Sequence, residues 1–226
     1  VADLGLDRVY SYALDPATAT LRAGTPPFAS VAPGAGARHF KFSPDGRLLM
    51  TLGKPGMKGN PPEALTEPTD VVTDPANGDV YVAESHTDVE DPALVGRISV
   101  FDKTGKFLRV IGKAGRGPGE FRTPHALEFD SQGRLFVADR HNHRVQVLTK
   151  EGRFLAEYPE FGRISGLAID RNDVLYTADS ESTERVHPGW QRGIRIGSAK
   201  DGRVTGFVPP HALPNSADGA DRKSVV

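Results

Sequence analysis

Apolar and polar residues alternate along this chain in short runs, and the runs come in pairs. Residues 67–86 (EPTDVVTDPANGDVYVAESH) hold an apolar run, an Asp-containing turn and a second apolar run ending in Ala-Glu. Residues 123–142 (TPHALEFDSQGRLFVADRHN) and 163–182 (RISGLAIDRNDVLYTADSES) repeat that order and end the second run in Ala-Asp. Each segment is followed by two more alternating runs around a polar turn with Gly, at 96–112, 143–159 and 192–208. A period of two interrupted by Asp-Gly or Thr-Gly predicts antiparallel hairpins. Two hairpins per repeat make four short strands in about 40 residues, the size of a β-propeller blade. No stretch sustains a 3.6-residue period, so little helix is expected.

The N-terminal part is less regular. Residues 7–24 predict two strands across Asp15-Pro16, and residues 37–53 predict two more across Pro44-Asp45-Gly46. Residues 25–36 between them read as a Pro/Gly loop, 54–68 as a surface excursion and 209–226 as an irregular tail. The expectation is one all-β domain over 1–208, a small β-propeller of four-stranded antiparallel blades. About five blades (four to five) can be counted. An incomplete ring, or self-association that closes the ring, would accommodate so few.

Composition narrows the classes. The 226 residues carry 28 Lys and Arg against 29 Asp and Glu, a net charge of -1. That balance exerts no general pull toward nucleic acid or acidic membranes, and no nucleic-acid partner is expected. There is no Cys, which excludes disulfides and thiolate metal sites. No apolar run is long enough to span a bilayer and no charged-then-apolar leader opens the chain, so a soluble protein is expected. Nucleophile elbow, Walker loop and dinucleotide fingerprint are all missing. The Gly-rich stretch GKAGRGPGEF (112–121) opens no helix, which a phosphate cradle would need, and reads as an inter-blade connection.

Strand direction locates a site. In a four-stranded meander the start of the first strand and the end of the second lie at one end of the sheet. Blades packed radially bring those ends around one mouth of the axis. The starts are Thr69-Asp70, Pro124-His125 and Ile164-Ser165, joined by Arg38-His39 if the N-terminal strands form a blade. The second strands end in Glu84-Ser85-His86, Asp139-Arg140-His141 and Asp179-Ser180-Glu181. One face is therefore expected to gather Asp70, Glu84, His86, His125, Asp139, Arg140 and Asp179. The other receives the polar turns. Glu84, Asp139 and Asp179 recur at one repeat position and have two readings. They accept backbone N–H bonds in the following turn, or they ligate a cation, with hard oxygen donors favouring Ca²⁺ over Zn²⁺. Asp70 and His125 read as equivalent positions at which a small residue would suffice. His141 and His143 read as solvated turn residues, and His187 and His211 stay unassigned.

Residues 38–208 resemble NHL-repeat β-propellers, through FSPDGRLLMTLGKPG, EPTDVV, GEFRTPHALEFD and VADRHNHRVQVL. Within that group the likeness is to bacterial relatives of the peptidyl-hydroxyglycine amidating lyase. Residues 1–46 resemble 6-phosphogluconolactonase-like propellers, through DLGLDRVYSYALDPATATL and PGAGARHFKFSPDGR. The resemblances imply six and seven blades respectively, and a bacterial source. In the lyase a Pro-His pair opening such a strand supplies a zinc ligand, which matches His125. An Arg in its ADR motif matches Arg140, and a site Tyr falls near His86. The companion histidines are not both evident, which counts against a lyase. The function expected is a metal-dependent hydrolase, a lactonase acting on a sugar lactone or acyl-homoserine lactone. His125 or His86 would serve as general base beside Asp70, and Arg140 would steady the oxyanion. A divalent ion, calcium first and zinc second, would polarise the carbonyl. An amidating-type lyase and a non-enzymatic scaffold binding protein or RNA are the alternatives.

Overall fold

Residues 2–3, 8–15, 17–18, 20–30, 50–54, 57–85 and 95–210 are described in the computed structural model. They form five sheets and two single-turn 3-10 segments, so the fold is all-β. The chain divides into two compact units, Val1–Leu65 and Thr66–Val226.

In the first unit β1 (Ala2–Asp3), β2 (Arg8–Asp15) and β3 (Thr20–Ser30) make an antiparallel sheet in that order. The β2–β3 turn is held by Asp15, which accepts the Ala17 N–H at 2.9 Å. Residues 25–30, read as loop, instead continue β3. Phe28 lies opposite Tyr10, with ring centroids 5.7 Å apart. Pro26 and Pro27 are tolerated there because residues 24–27 fall in an irregularity of the register, between the Tyr12–Ala23 and Tyr10–Phe28 pairs, where no ladder bond is asked of them. Most of the second N-terminal hairpin (37–53), and the tail from 211, lie outside the described residues.

The second unit contains three four-stranded antiparallel blades, each a simple meander. Blade 1 is β4 (Pro68–Thr73), β5 (Val80–Glu84), β6 (Arg97–Phe101) and β7 (Phe107–Ile111). The connection 112–121 follows as predicted and contributes a short parallel pair, β8 (Lys113–Ala114) and β9 (Glu120–Phe121). Blade 2 is β10 (Pro124–Phe129), β11 (Leu135–Asp139), β12 (Arg144–Leu148) and β13 (Phe154–Tyr158). Blade 3 is β14 (Ile164–Ile169), β15 (Val174–Asp179), β16 (Gly193–Ser198) and β17 (Val204–Val208).

Blades stack face to face, and the innermost strands β4, β10 and β14 are neighbours in that order. Alternate residues of a strand serve opposite faces. Tyr81, Ile98 and Val100 of blade 1 therefore meet Leu127, Phe129 and Leu135 of blade 2. Tyr81 and Phe129 pack edge to face at 5.2 Å. Phe136, Val145 and Val147 point the other way, into a second core with Ile164 and Leu175 of blade 3. Blade 2 is covered on both faces, so β11 and β12 are buried at every residue. Phe121 and Phe161, each just ahead of an innermost strand, are fully buried wedges between blades. Gly112 is required beside the first wedge: its φ is 76°, and a Cβ there would sit 2.3 Å from the Phe121 ring.

At the end away from the expected site, Asp74, Asp130 and Asp170 cap the first-to-second-strand turns, accepting the N–H two residues on at 2.8–3.0 Å. Neighbouring blades are also tied there, by Lys150 to Asp74 at 2.7 Å and Ser131 to Asp173 at 2.7 Å. Truncating a wedge leaves a cavity between two sheets that cannot collapse onto each other. Phe121→Ala is expected to destabilise the unit by about 3–5 kcal/mol, read as a lowered urea midpoint with unchanged slope.

Candidate functional site

The expected mouth is organised by one repeated contact. The residue ending each blade's second strand is a buried carboxylate: Glu84, Asp139 and Asp179. Each accepts the backbone N–H of a residue just ahead of the innermost strand: Thr66 at 2.6 Å, Arg122 at 2.7 Å and Arg163 at 3.0 Å. Each also meets an arginine from the third strand. Arg97 reaches Glu84 at 2.9 Å, Arg144 reaches Asp139 at 3.0 Å and Arg195 reaches Asp179 at 3.4 Å. Further donors complete the set: Ser99 on Glu84, Asn142 and Gln146 on Asp139, and Ser182 on Asp179. Burial still lifts the Asp139 carboxyl to about 6, against the pull of Asn142, the Arg122 N–H and Arg144.

This donor set suits an intrablade clamp better than a cation sphere. The three carboxylates belong to three different blades, and their oxygens face guanidinium and N–H donors that a metal would have to displace. Among the described residues no three His, Cys, Asp or Glu side chains come together as cation ligands.

The innermost strands carry a second repeated feature. Pro68, Pro124 and Ile164 pair with Glu84, Asp139 and Asp179, and the register then slips by one residue. The extra residue in each bulge is Thr69, His125 or Ser165. Thr69 is therefore the counterpart of His125, and Asp70 is the counterpart of Ala126 and Gly166. The expected equivalence of Asp70 and His125 is corrected by that bulge. Bulges re-aim side chains, and these reach sideways. Thr69 Oγ1 donates to the Pro124 carbonyl at 2.5 Å, and His125 Nδ1 lies 2.8 Å from the Ser165 carbonyl. A carbonyl only accepts, so Nδ1 carries the proton, and the neutral form of the ring would hold its lone pair on Nε2. Asp70 is a tie between blades: its Oδ2 accepts the Leu127 N–H at 2.8 Å. His86 and Arg38-His39 lie outside the described residues.

Arg140 is buried and pairs with Glu181 at 3.2 Å. Arg163, ahead of β14, reaches the same Glu181 oxygen at 3.1 Å. Two guanidinium groups on one carboxylate keep this rim positive. His141 and His143, read as solvated, are half-buried here. His141 Nδ1 contacts Thr123 Oγ1 at 2.6 Å, and the His143 ring lies 4.0 Å from that of His187, which stacks on Trp190 at 4.7 Å. Burial, with Arg163 and Arg140, lowers His141 to about 3. Burial and His187 lower His143 to about 4. Thr123 has φ 65°, unusual for a β-branched residue. It is fixed by the His141 contact and by Arg140 N–H donating to its carbonyl at 3.1 Å. Arg163 and Trp190 are unmarked in the sequence, where Glu181 is only the end of a second strand and His187 has no assignment. Their only signal was the position of Arg163 ahead of a repeat and the long insertion after Asp179.

Three outcomes follow from this geometry. Removing one partner of a buried pair leaves the other uncompensated, so Asp139→Ala is expected to cost about 3–5 kcal/mol. Chelator or added Ca²⁺ should leave the wild-type melting temperature unchanged; a calcium-dependent rise would assign these carboxylates to a metal instead. His141 and His143 stay neutral in the fold while the unfolded chain takes up protons from pH 6.5 downward. Their contribution to stability is therefore present above that pH and lost as pH falls toward 4 and 3. Asp139 acts oppositely between pH 6 and 3.8. A His141→Gln, His143→Asn double variant should melt with a smaller drop between pH 7 and pH 5 than the wild type.

Comparison with known proteins agrees with the architecture. Residues 1–53 match the family described as lactonase, 7-bladed beta-propeller, residues 79–132 match a 6-bladed beta-propeller family and residues 121–148 match the NHL repeat. Human NHL repeat-containing protein 3 is 35% identical over 120 residues, covering 49% of this chain and 31% of that protein. Mouse peptidyl-glycine alpha-amidating monooxygenase is 30% identical over 197 residues, covering 80% of this chain and 19% of that protein. The solved structure of U3-55K superposes with a TM-score of 0.50 at 18% identity, over 69% of this chain and 42% of that one, a likeness of fold alone. The chain thus spans less than a third of either sequence relative. It carries NHL-repeat propeller sequence joined to an N-terminal stretch similar to a propeller lactonase.

Proposed function

We propose that the mouth shared by blades 2 and 3 is a small-molecule site, at which His125 is the general base in hydrolysis of an ester or lactone. The observation that carries this reading is the His125 Nδ1 contact to the Ser165 carbonyl. It fixes the ring so that Nε2 is the basic atom, the arrangement a general base needs. Water gives a proton to Nε2 as its oxygen adds to the substrate carbonyl. The ring C–O bond then breaks, and the proton passes to the leaving alkoxide, giving a hydroxy acid. The positive rim at Arg140 and Arg163 favours the negative charge that develops on the carbonyl oxygen. The lactonase likeness of residues 1–53 supports the substrate class.

The metal expected from the sequence enters through the test, since the clamped carboxylates are poor donors for it. A panel of sugar lactones and acyl-homoserine lactones, followed by pH-stat with and without chelator, should show turnover that survives chelation. His125→Gln keeps a donor for the Ser165 carbonyl and has no basic nitrogen, so it should lower kcat by about 10²–10⁴. Turnover lost to chelator and restored by Ca²⁺ or Zn²⁺ would move the chemistry to a metal. Unchanged kcat in the variant would remove His125 from it. The 30% identity to amidating monooxygenase favours a second reading, an amidating-type lyase. Turnover of a hydroxyglycine-extended peptide in place of any lactone would select it, and no turnover of either would leave a binding scaffold.

A further inference from the structure

The two internal blade interfaces use the same repeat positions, and blade 3 presents those positions a third time. By strand register Tyr176 corresponds to Phe136 and Tyr81, and Ala178 to Ala138 and Ala83. Ile194 corresponds to Val145 and Ile98, and Val208 to Tyr158 and Ile111. In blades 1 and 2 every one of these is at most 7% exposed. In blade 3 Tyr176, Ala178 and Ile194 are half-buried and Val208 is 49% exposed. Tyr176, Ala178 and Ile194 line an apolar groove of about 360 Å³ with Gly166, Leu167 and Ala168. A contiguous apolar sheet face of this kind marks an interaction surface.

The complementary face is on the same chain. Leu127, Phe129 and Leu135, by which blade 2 covers blade 1, are buried. Their counterparts in blade 1 are Val71, Thr73 and Val80, of which the valines are half-buried and Thr73 exposed. We infer that a second copy of this chain seats its blade 1 on blade 3 of the first, extending head to tail the interface already made twice within the unit. The second unit has three blades among the described residues, half of six, and residues 79–132 match a six-bladed family. Two copies, each giving blade 3 and receiving blade 1, close such a ring with two identical interfaces, so no apolar face is left to grow a filament.

The test uses the 226-residue chain in sedimentation equilibrium, with Ile194→Glu marking the blade 3 face and Val71→Glu the blade 1 face. Both positions are solvent-accessible, and circular dichroism checks that each variant stays folded. The wild type should have twice the mass of one chain, and each variant alone should be a monomer where the wild type is a dimer. Mixing the two variants should restore association, because one of the two interfaces is then unmutated on both sides. A monomeric wild type overturns the inference. A Val71→Glu chain that remains dimeric also overturns it, since two blade 3 faces would then be meeting each other. So does an Ile194→Glu chain that remains dimeric, or a mixture that does not associate.

Discussion

Each blade is closed by a buried negative charge at the end of its second strand. An isolated carboxylate in that position would be several kcal/mol too costly to hold ionised. The chain meets the cost by converging a third-strand arginine, a side-chain hydroxyl or amide and one backbone N–H on the same group. The backbone donor matters most for architecture. It belongs to the segment entering the innermost strand, so the charge that closes the second strand also fixes where the first begins. Everything at the mouth takes its position from that anchor: the bulge one residue later, the sideways reach of Thr69 and His125, and the 3-10 turn that carries Arg140 and His141.

The anchors are realised differently in each blade. Blades 1 and 2 place arginine directly opposite the carboxylate, as Arg97 and Arg144. Blade 3 has Gly193 there, because a side chain would run into the Val208 carbonyl. Its arginine comes from Arg195, two residues on, where blades 1 and 2 have Ser99 and Gln146. Arg195 then also lies over Trp190 at 4.6 Å and so joins the clamp to the aromatic stack beneath the rim.

Strands and turns were legible because alternation and Asp-Gly chemistry are local. The recurrence of Glu84, Asp139 and Asp179 was legible too, and the reading as acceptors of backbone N–H describes their contacts. Three things were not. A bulge adds one residue without disturbing the visible alternation, so Asp70 was matched with His125 when Thr69 holds that place. The prolines of 25–30 look like loop residues until the register of β3 is known to skip residues 24–27. His141 and His143 follow a strand as turn residues do; Thr123, ahead of the same blade, holds the first, and His187, in the insertion after Asp179, covers the second.

Thr123 holds a backbone conformation that few β-branched residues adopt. Glycine or asparagine would sit in its left-handed backbone without penalty, whereas a β-branched residue there carries strain on the order of 1–3 kcal/mol. What threonine adds is a hydroxyl within reach of one imidazole. Glu67 holds the same left-handed place ahead of blade 1, so the backbone belongs to the repeat, and the threonine hydroxyl is what ties the His141 ring to it.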